Sequence, residues 1–279
     1  MVMTHIDYEM SNEDYHSKEL HPHISSSDVK EVAKTSPLHW ALKQGKPRKE
    51  TPAMLKGTCI HALILEPEKD LIATYDGIRR GKDWDKAKAA ADKAGKVIVK
   101  PAELEEYQSI AKAAFDTCPE LLDFIQQPNF VAEASIFTEC DVTGLPIKVR
   151  PDGLLMPQKK GEKAIVLDVK TTVDASPEGF PRQINKYLYS LQAAFYMNSL
   201  RCAGIPCDAF IFAAVDGETG ITVLHELSEM YLKYSENQMY EAMHKLAEAK
   251  ASGKFDTGWA GVNTVHLPSW LSNDDSHPF

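Results

Sequence analysis

The sequence lacks several features that would have sent its reading elsewhere. Its five cysteines, Cys59, Cys118, Cys140, Cys202 and Cys207, include no CxxC pair. An odd, scattered set excludes a disulfide framework, offers no four-cysteine cluster site and fits reduced thiols. No apolar run approaches the ~20 residues that cross a bilayer, so no membrane partner is expected. Met1 to Glu13 is polar and acidic, which predicts no secretory leader and a cytoplasmic protein. Positive charge is also in short supply: 31 Lys and Arg face 40 Asp and Glu, for a formal net charge of −9. That excludes a protein coated in basic surface, but a local basic groove can coexist with an acidic exterior. Internal repeats and low-complexity segments are absent as well.

What is present is ordinary globular material, 43% hydrophobic and 25% charged over 279 residues, enough for a sizeable core. Ser25-Ser26-Ser27-Asp28 supplies N-cap candidates for a helix ending near Lys34, and Pro37 opens another that Gly45-Lys46-Pro47 stops. Further helices are expected over Lys56–Leu65, Asp83–Ala94, Pro101–Ile125 (interrupted at Cys118-Pro119), Ile184–Leu200 and Glu229–Ala251. Strands are expected over Phe130–Thr138, Leu145–Leu155, Lys163–Lys170, Asp208–Val215 and Thr222–Leu227, with hairpin turns at Asp141–Gly144 and Gln158–Gly161. The pattern predicts one α/β domain over 1–279, a small mixed β-sheet flanked by helices. Within it, 1–23 reads as an extended segment, 24–128 as mainly helical, 129–254 as the core and 255–279 as an irregular tail.

Ala164-Ile165-Val166-Leu167-Asp168-Val169-Lys170-Thr171-Thr172 carries the chemistry. A run this apolar and β-branched belongs in a buried strand, where alternation puts Asp168 and Lys170 on one face and Val169 on the other. Charges leaving a buried strand cost several kcal/mol unless compensated. A divalent cation shared with Asp152, in the upstream Arg150-Pro151-Asp152-Gly153, would compensate them, with Lys170 free to meet a phosphate or water. His61 shares a helix face with Gly57, Ile60 and Ile64, a placement that suits a ligand or a satisfied core histidine. Glu133 is expected on a strand, with Ser135 and Phe137 on its face. Gln192 and Tyr196, i and i+4 on a helix, point the same way, although Leu191 and Phe195 make a competing core stripe. Thr171, Thr172, Arg79, Arg80 and Lys82, with Lys159 and Lys160, are candidates for phosphate contact. Trp84 is a stacking candidate, whereas Trp40 reads as core.

Together these elements resemble the PD-(D/E)xK nuclease superfamily, here as Pro151-Asp152 followed by Asp168-Val169-Lys170. Gly57-Thr58-Cys59-Ile60-His61 and Gln192-Ala193-Ala194-Phe195-Tyr196 are similar to the histidine and Gln-x-x-x-Tyr motifs of its RecB-like branch. Ala132-Glu133-Ala134-Ser135-Ile136-Phe137 resembles the segment that precedes the first aspartate in RecE-type exonucleases (exonuclease VIII-like). The resemblance runs from about Ile24 to about Trp270. It implies a metal shell of His61, Glu133, Asp152, Asp168 and the Val169 carbonyl, holding Mg²⁺ or Mn²⁺, with Lys170, Gln192 and Tyr196 completing the catalytic set. It further implies 5′→3′ digestion of linear double-stranded DNA to leave 3′ tails, a single-strand annealing partner and a homo-oligomeric, tetrameric ring. Two alternatives stay open: a CRISPR-adaptation, repair or endonucleolytic enzyme of the same superfamily, and a non-catalytic DNA-binding scaffold.

Overall fold

The computed structural model describes residues 4–17, 20, 22–46, 51–259, 261–262 and 264–267. Its first half runs β1 (His5–Asp7), α1 (Asn12–Tyr15), α2 (Ser26–Lys34), α3 (Pro37–Lys43), α4 (Pro52–Leu65), β2 (Ile72–Thr74), α5 (Lys82–Lys93), β3 (Val97–Val99), α6 (Pro101–Thr117) and α7 (Pro119–Ile125). The second half follows with β4 (Phe130–Ala132), β5 (Ser135–Glu139), β6 (Pro146–Val149), β7 (Gly153–Leu155), β8 (Ala164–Thr172), α8 (Phe180–Tyr187), α9 (Tyr189–Cys202), β9 (Cys207–Asp216), β10 (Thr222–Glu226) and α10 (Glu229–Ser252).

β8 and β9 form the centre of a five-stranded mixed sheet ordered β10-β9-β8-β7-β4. They are parallel, joined through α8 and α9, while the other pairs are antiparallel. One face packs on α2, α9 and α10 around Val166, Phe195, Phe210, Phe212 and Met243, all fully buried. The other packs on α4, α6 and α7 around Leu167, Ile60, Ile64 and Leu121. Alternation along β8 is therefore as expected, with Leu167 and Val169 turned to the second layer and Val166 to the first.

The expected α/β class is present, but not as a single sheet. The segments expected as strands over 130–138 and 145–155 do pair in one continuous antiparallel register, from Ala132↔Gly153 to Ile136↔Val149. Each, however, bends in the middle. Glu133 has φ 55°, a left-handed conformation uncommon outside glycine, and Pro151 has no N–H to give a ladder. The lower half of this hairpin (β4, β7) joins the five-stranded sheet, and the upper half (β5, β6) forms a second sheet with β1. Glu133 and Asp152 face each other across the bend, where the Glu133 N–H donates to the Asp152 carbonyl (3.2 Å).

Three other elements differ from expectation. The helix expected over Ile184–Leu200 is two helices, α8 and α9, hinged at Leu188 with φ 53°. α4 opens earlier, at Pro52, because the Thr51 hydroxyl accepts from the Met54 N–H (3.2 Å). The N-terminal segment, expected as extended, carries β1 and α1 and is pinned down by cations that sequence patterning does not reveal. Lys148 donates to the Tyr15 carbonyl (2.7 Å) and Arg150 to the Met10 carbonyl (2.7 Å). In the tail from Phe255, the described residues form no helix or strand; 260, 263 and 268–279, like 1–3, 18–19, 21 and 47–50 (Pro47 among them), lie outside the described residues. None of the five cysteines is in a disulfide. No helix among the described residues is long and apolar enough to cross a membrane.

Candidate active site

The bend between the two sheets concentrates the charged residues. Asp152 leaves the turn before β7 and lies alongside β8, where its Oδ2 accepts the Val169 N–H (2.8 Å). Gly153 is required next to it, since a methyl there would come within 2.5 Å of the Phe130 ring. From the opposite layer, α4 presents His61, whose Nε2 lies 3.0 Å from Asp152 Oδ2 and 3.5 Å from Glu133 Oε1. α4 approaches closely because it carries Gly57: a Cβ there would sit 3.0 Å from the Thr171 hydroxyl. The neighbour is thus a side chain of β8. Donor atoms of His61, Glu133 and Asp152 all lie within 4.8 Å of one another.

Asp168, fully buried, sits on the next strand position but one from Lys170, and the two are ion-paired. Gln192 on α9 donates through Nε2 to Asp168 Oδ1 (2.8 Å). Its own Oε1 accepts from Lys30 on α2 (3.1 Å), so a chain Lys30–Gln192–Asp168 reaches the site from the first layer. Asp168 Oδ2 is buried and has the Lys170 ammonium as its partner. Tyr196, one turn along α9, packs on Phe210 and lines a cavity of about 380 Å³ next to Glu133, Lys148 and Arg150.

The electrostatics are those of carboxylates crowded in a dry place. Burial, then the neighbouring Asp152, raises Glu133 to about 7 against the pull of His61 and Arg150. Burial and Asp152 likewise raise Asp168 to about 6, opposed by Lys170. Burial would also raise Asp152, but His61, Lys170 and the Val169 amide outweigh it and hold it low. Burial would lower His61, yet Asp152 and Glu133 lift it to about 9. Lys170 is raised as well, since Asp168 and Asp152 overcome its burial.

Two carboxylates and an imidazole converging on one point fit a divalent ion: Glu133 and Asp152 supply hard oxygens and His61 a nitrogen. His61, Glu133 and Asp152 would hold it, with Asp168 adjoining. Asp168 stands outside the three-residue cluster, and Val169 enters the site through its amide, held by Asp152. Glu133 is not on a strand: it occupies the left-handed bend, a strained conformation of the kind that gathers at functional sites.

The remaining candidates divide. Thr171 lies against Gly57, and Thr172 exchanges hydrogen bonds with the backbone of Asp174 (3.2 and 3.3 Å). Arg79 is committed to an ion pair with Glu103, while Arg80 and Lys82 are exposed. Lys159 and Lys160 are exposed in the turn after β7. Trp84 packs on Tyr75 (5.5 Å), and Trp40 is buried, donating to Asp28 Oδ1 (2.8 Å). Two site residues escaped the sequence reading. Lys30 belongs to no motif. Arg150, whose Nε lies 3.8 Å from Glu133 Oε2 and donates to the Ser135 hydroxyl (2.8 Å), was signalled only by standing next to Pro151-Asp152.

No curated protein matches the chain significantly. Among solved structures, a crystal structure of a candidate exonuclease from Eubacterium rectale superposes with a TM-score of 0.59 at 14% identity, over 97% of this chain and 99% of that one. The structure of SSO0001 aligns at a TM-score of 0.28 and 15% identity over 65% of this chain and 84% of its own, too weakly to bear on the fold. Residues 25–257, which contain every site residue above, match the PDDEXK-like domain of unknown function (DUF3799), and the chain belongs to that family.

Proposed function

We propose that the chain is a metal-dependent DNA nuclease, and more finely an exonuclease of the RecE type. The observation that carries this reading is the convergence of His61, Glu133 and Asp152 beside the buried Asp168–Lys170 pair. A cradle of hard donors with an ammonium next to it suits metal-assisted hydrolysis of a phosphodiester. When bound, Mg²⁺ (or Mn²⁺) would supply Lewis-acid stabilisation of the phosphate and a more acidic water.

The chain's own residues do the rest. Asp152 is fixed in advance by the Val169 amide, and Asp168 by Gln192, so neither carboxylate has to be reorganised on binding. Lys170 keeps its proton because Asp168 and Asp152 raise it, which suits it to neutralising negative charge on the phosphate as the bond to the leaving oxygen breaks. Thr171, Thr172, Arg80 and Lys82 would serve the DNA backbone.

The finer assignments rest on the sequence resemblance: action on linear duplex ends, 5′→3′ polarity leaving 3′ tails, a single-strand annealing partner and a tetrameric ring. A single domain over 1–279 rests on the pattern of elements, and a cytoplasmic location on the scattered, unpaired cysteines. The test is digestion of linear duplex DNA labelled separately at each end, with Mg²⁺, Mn²⁺ or EDTA, beside closed circular DNA and the Lys170→Ala variant. Early metal-dependent release of the 5′ label, with circles intact and the variant inactive, is expected. Cutting of circles would replace the exonuclease by an endonuclease. Absence of cleavage with every metal would remove the nuclease reading.

A further inference from the structure

A tyrosine beside Lys170, Tyr189, and its neighbour Tyr187 are arranged in a way the helix period does not give. Residues i and i+2 on a helix point to different sides, yet Tyr187 and Tyr189 stack, with ring centroids 5.5 Å apart and planes at 28°. The chain achieves this by placing Leu188 in the left-handed conformation between α8 and α9, a strain that a leucine adopts only when its surroundings impose it. The inner ring is anchored: Tyr189 lies against Phe180 (6.3 Å) and Phe212 (6.0 Å) in the core. The outer ring is not, and Tyr187 is 48% exposed.

Cations surround this step. The Lys170 ammonium is 5.2 Å from the Tyr189 ring centre and that of Lys30 5.7 Å, while Lys186 is 5.2 Å from the ring of Tyr187. The step thus begins at the lysine of the candidate site and ends at an exposed aromatic surface. Its chemistry, an aromatic surface flanked by ammonium groups, is complementary to a nucleotide: the ring accepts a base and the lysines face phosphate oxygens.

We propose that Tyr187, seated on Tyr189, is the stacking platform for the nucleobase adjoining the phosphate that is cut. The platform reads no sequence, because every base has a π-face. It holds the strand end so that its phosphate lies at Lys170. This inference rests on the nuclease reading and identifies the part of the substrate that the site grips.

The test compares linear duplexes with normal ends against duplexes carrying an abasic residue at the terminal or penultimate position of either strand. Single-turnover cleavage is followed for the wild type, Tyr187→Phe and Tyr187→Ala. The wild type and Tyr187→Phe should cut the abasic ends about ten- to a hundredfold more slowly, the scale of one base–aromatic stack. Tyr187→Ala should cut normal ends at about the abasic rate and discriminate no longer. A wild type indifferent to the abasic residue, or a Tyr187→Ala variant that discriminates as the wild type does, would overturn the platform while leaving the nuclease intact. Should no DNA be cut with any metal, the nuclease reading fails by itself. The platform is then read at equilibrium from the fluorescence of a 2-aminopurine-ended oligonucleotide. Quenching that disappears in Tyr187→Ala and persists in Tyr187→Phe sustains it, and no quenching refutes it.

Discussion

Two groups of cations behave oppositely in this molecule. Arg79, Arg80 and Lys82 lie almost side by side in the sequence, yet Arg79 is spent on Glu103 and the other two face solvent. Lys30, Lys148, Arg150 and Lys170 are scattered along the chain, and the fold gathers them around the bend between the five-stranded and the three-stranded sheet. Lys148 and Arg150 are at most 9% exposed, and each holds backbone carbonyls of the N-terminal segment. Lys170 faces Asp168, and Lys30 holds Gln192. The difference teaches that charge density along the sequence is a poor guide to charge in space. A surface cation costs little wherever it falls, whereas a buried one persists only where fixed partners repay its desolvation.

Removing a member of the inner group, or the carboxylate that faces it, is the strongest way to test that contrast. Lys170→Ala or Asp152→Asn should each lower metal-dependent DNA cleavage by at least about a thousandfold, read from initial rates on end-labelled duplex. Next comes the proton on His61. With its pKa lifted to about 9 by Asp152 and Glu133, the imidazole must lose a proton before it can bind metal. Mn²⁺ affinity measured by calorimetry should therefore rise roughly tenfold per pH unit toward pH 9, more steeply below 7 where Glu133 also takes a proton, and His61→Gln should flatten the upper part. The sign is opposite for the metal-free fold. Because the folded pKa lies above the ordinary 6.5, the His61 contribution is complete below that pH and is lost as pH rises through about 9.

Smaller effects follow outward from the site. Lys30→Met takes the donor from Gln192 and should cost about ten- to a hundredfold in metal affinity or rate, with partial recovery in Lys30→Arg; an unchanged rate would make the Lys30–Gln192 bond incidental. Arg150→Met removes the bonds to Ser135, Met10 and Ser11 and should cost about 3 kcal/mol in urea unfolding. The outer group closes the series: Arg80→Ala with Lys82→Ala should weaken DNA binding only severalfold and lessen the slope of log K against log salt by at most about 2. A larger loss there than for Lys30→Met would invert the comparison.

Much of this was legible because it is periodic. The alternation of β8 put Asp168 and Lys170 on one face, and the helical spacing of Gly57, Ile60, His61 and Ile64 turned the histidine inward; both hold in the structure. The two hairpin turns and the break at Cys118-Pro119 were legible for the same local reason, turn and breaker chemistry. What escaped was the bend. Phe130–Thr138 looks like one strand because nothing in the side chain of Glu133 announces a left-handed backbone. The hinge at Leu188 is hidden in the same way inside a helical pattern. Arg150 and Lys30 were passed over because their partners are carbonyls and an amide far away in the sequence.

The sequence by itself determined which residues are inward and which chemistry they could carry, since strand and helix periods are set by backbone geometry and act within a few residues. It could not determine where the two sheets part, how Glu133 is brought opposite Asp152, or which cations end beside them. Those were decided only by the tertiary structure, because strained backbone and buried charge are each unfavourable locally and are held in place by packing from elements distant in the chain.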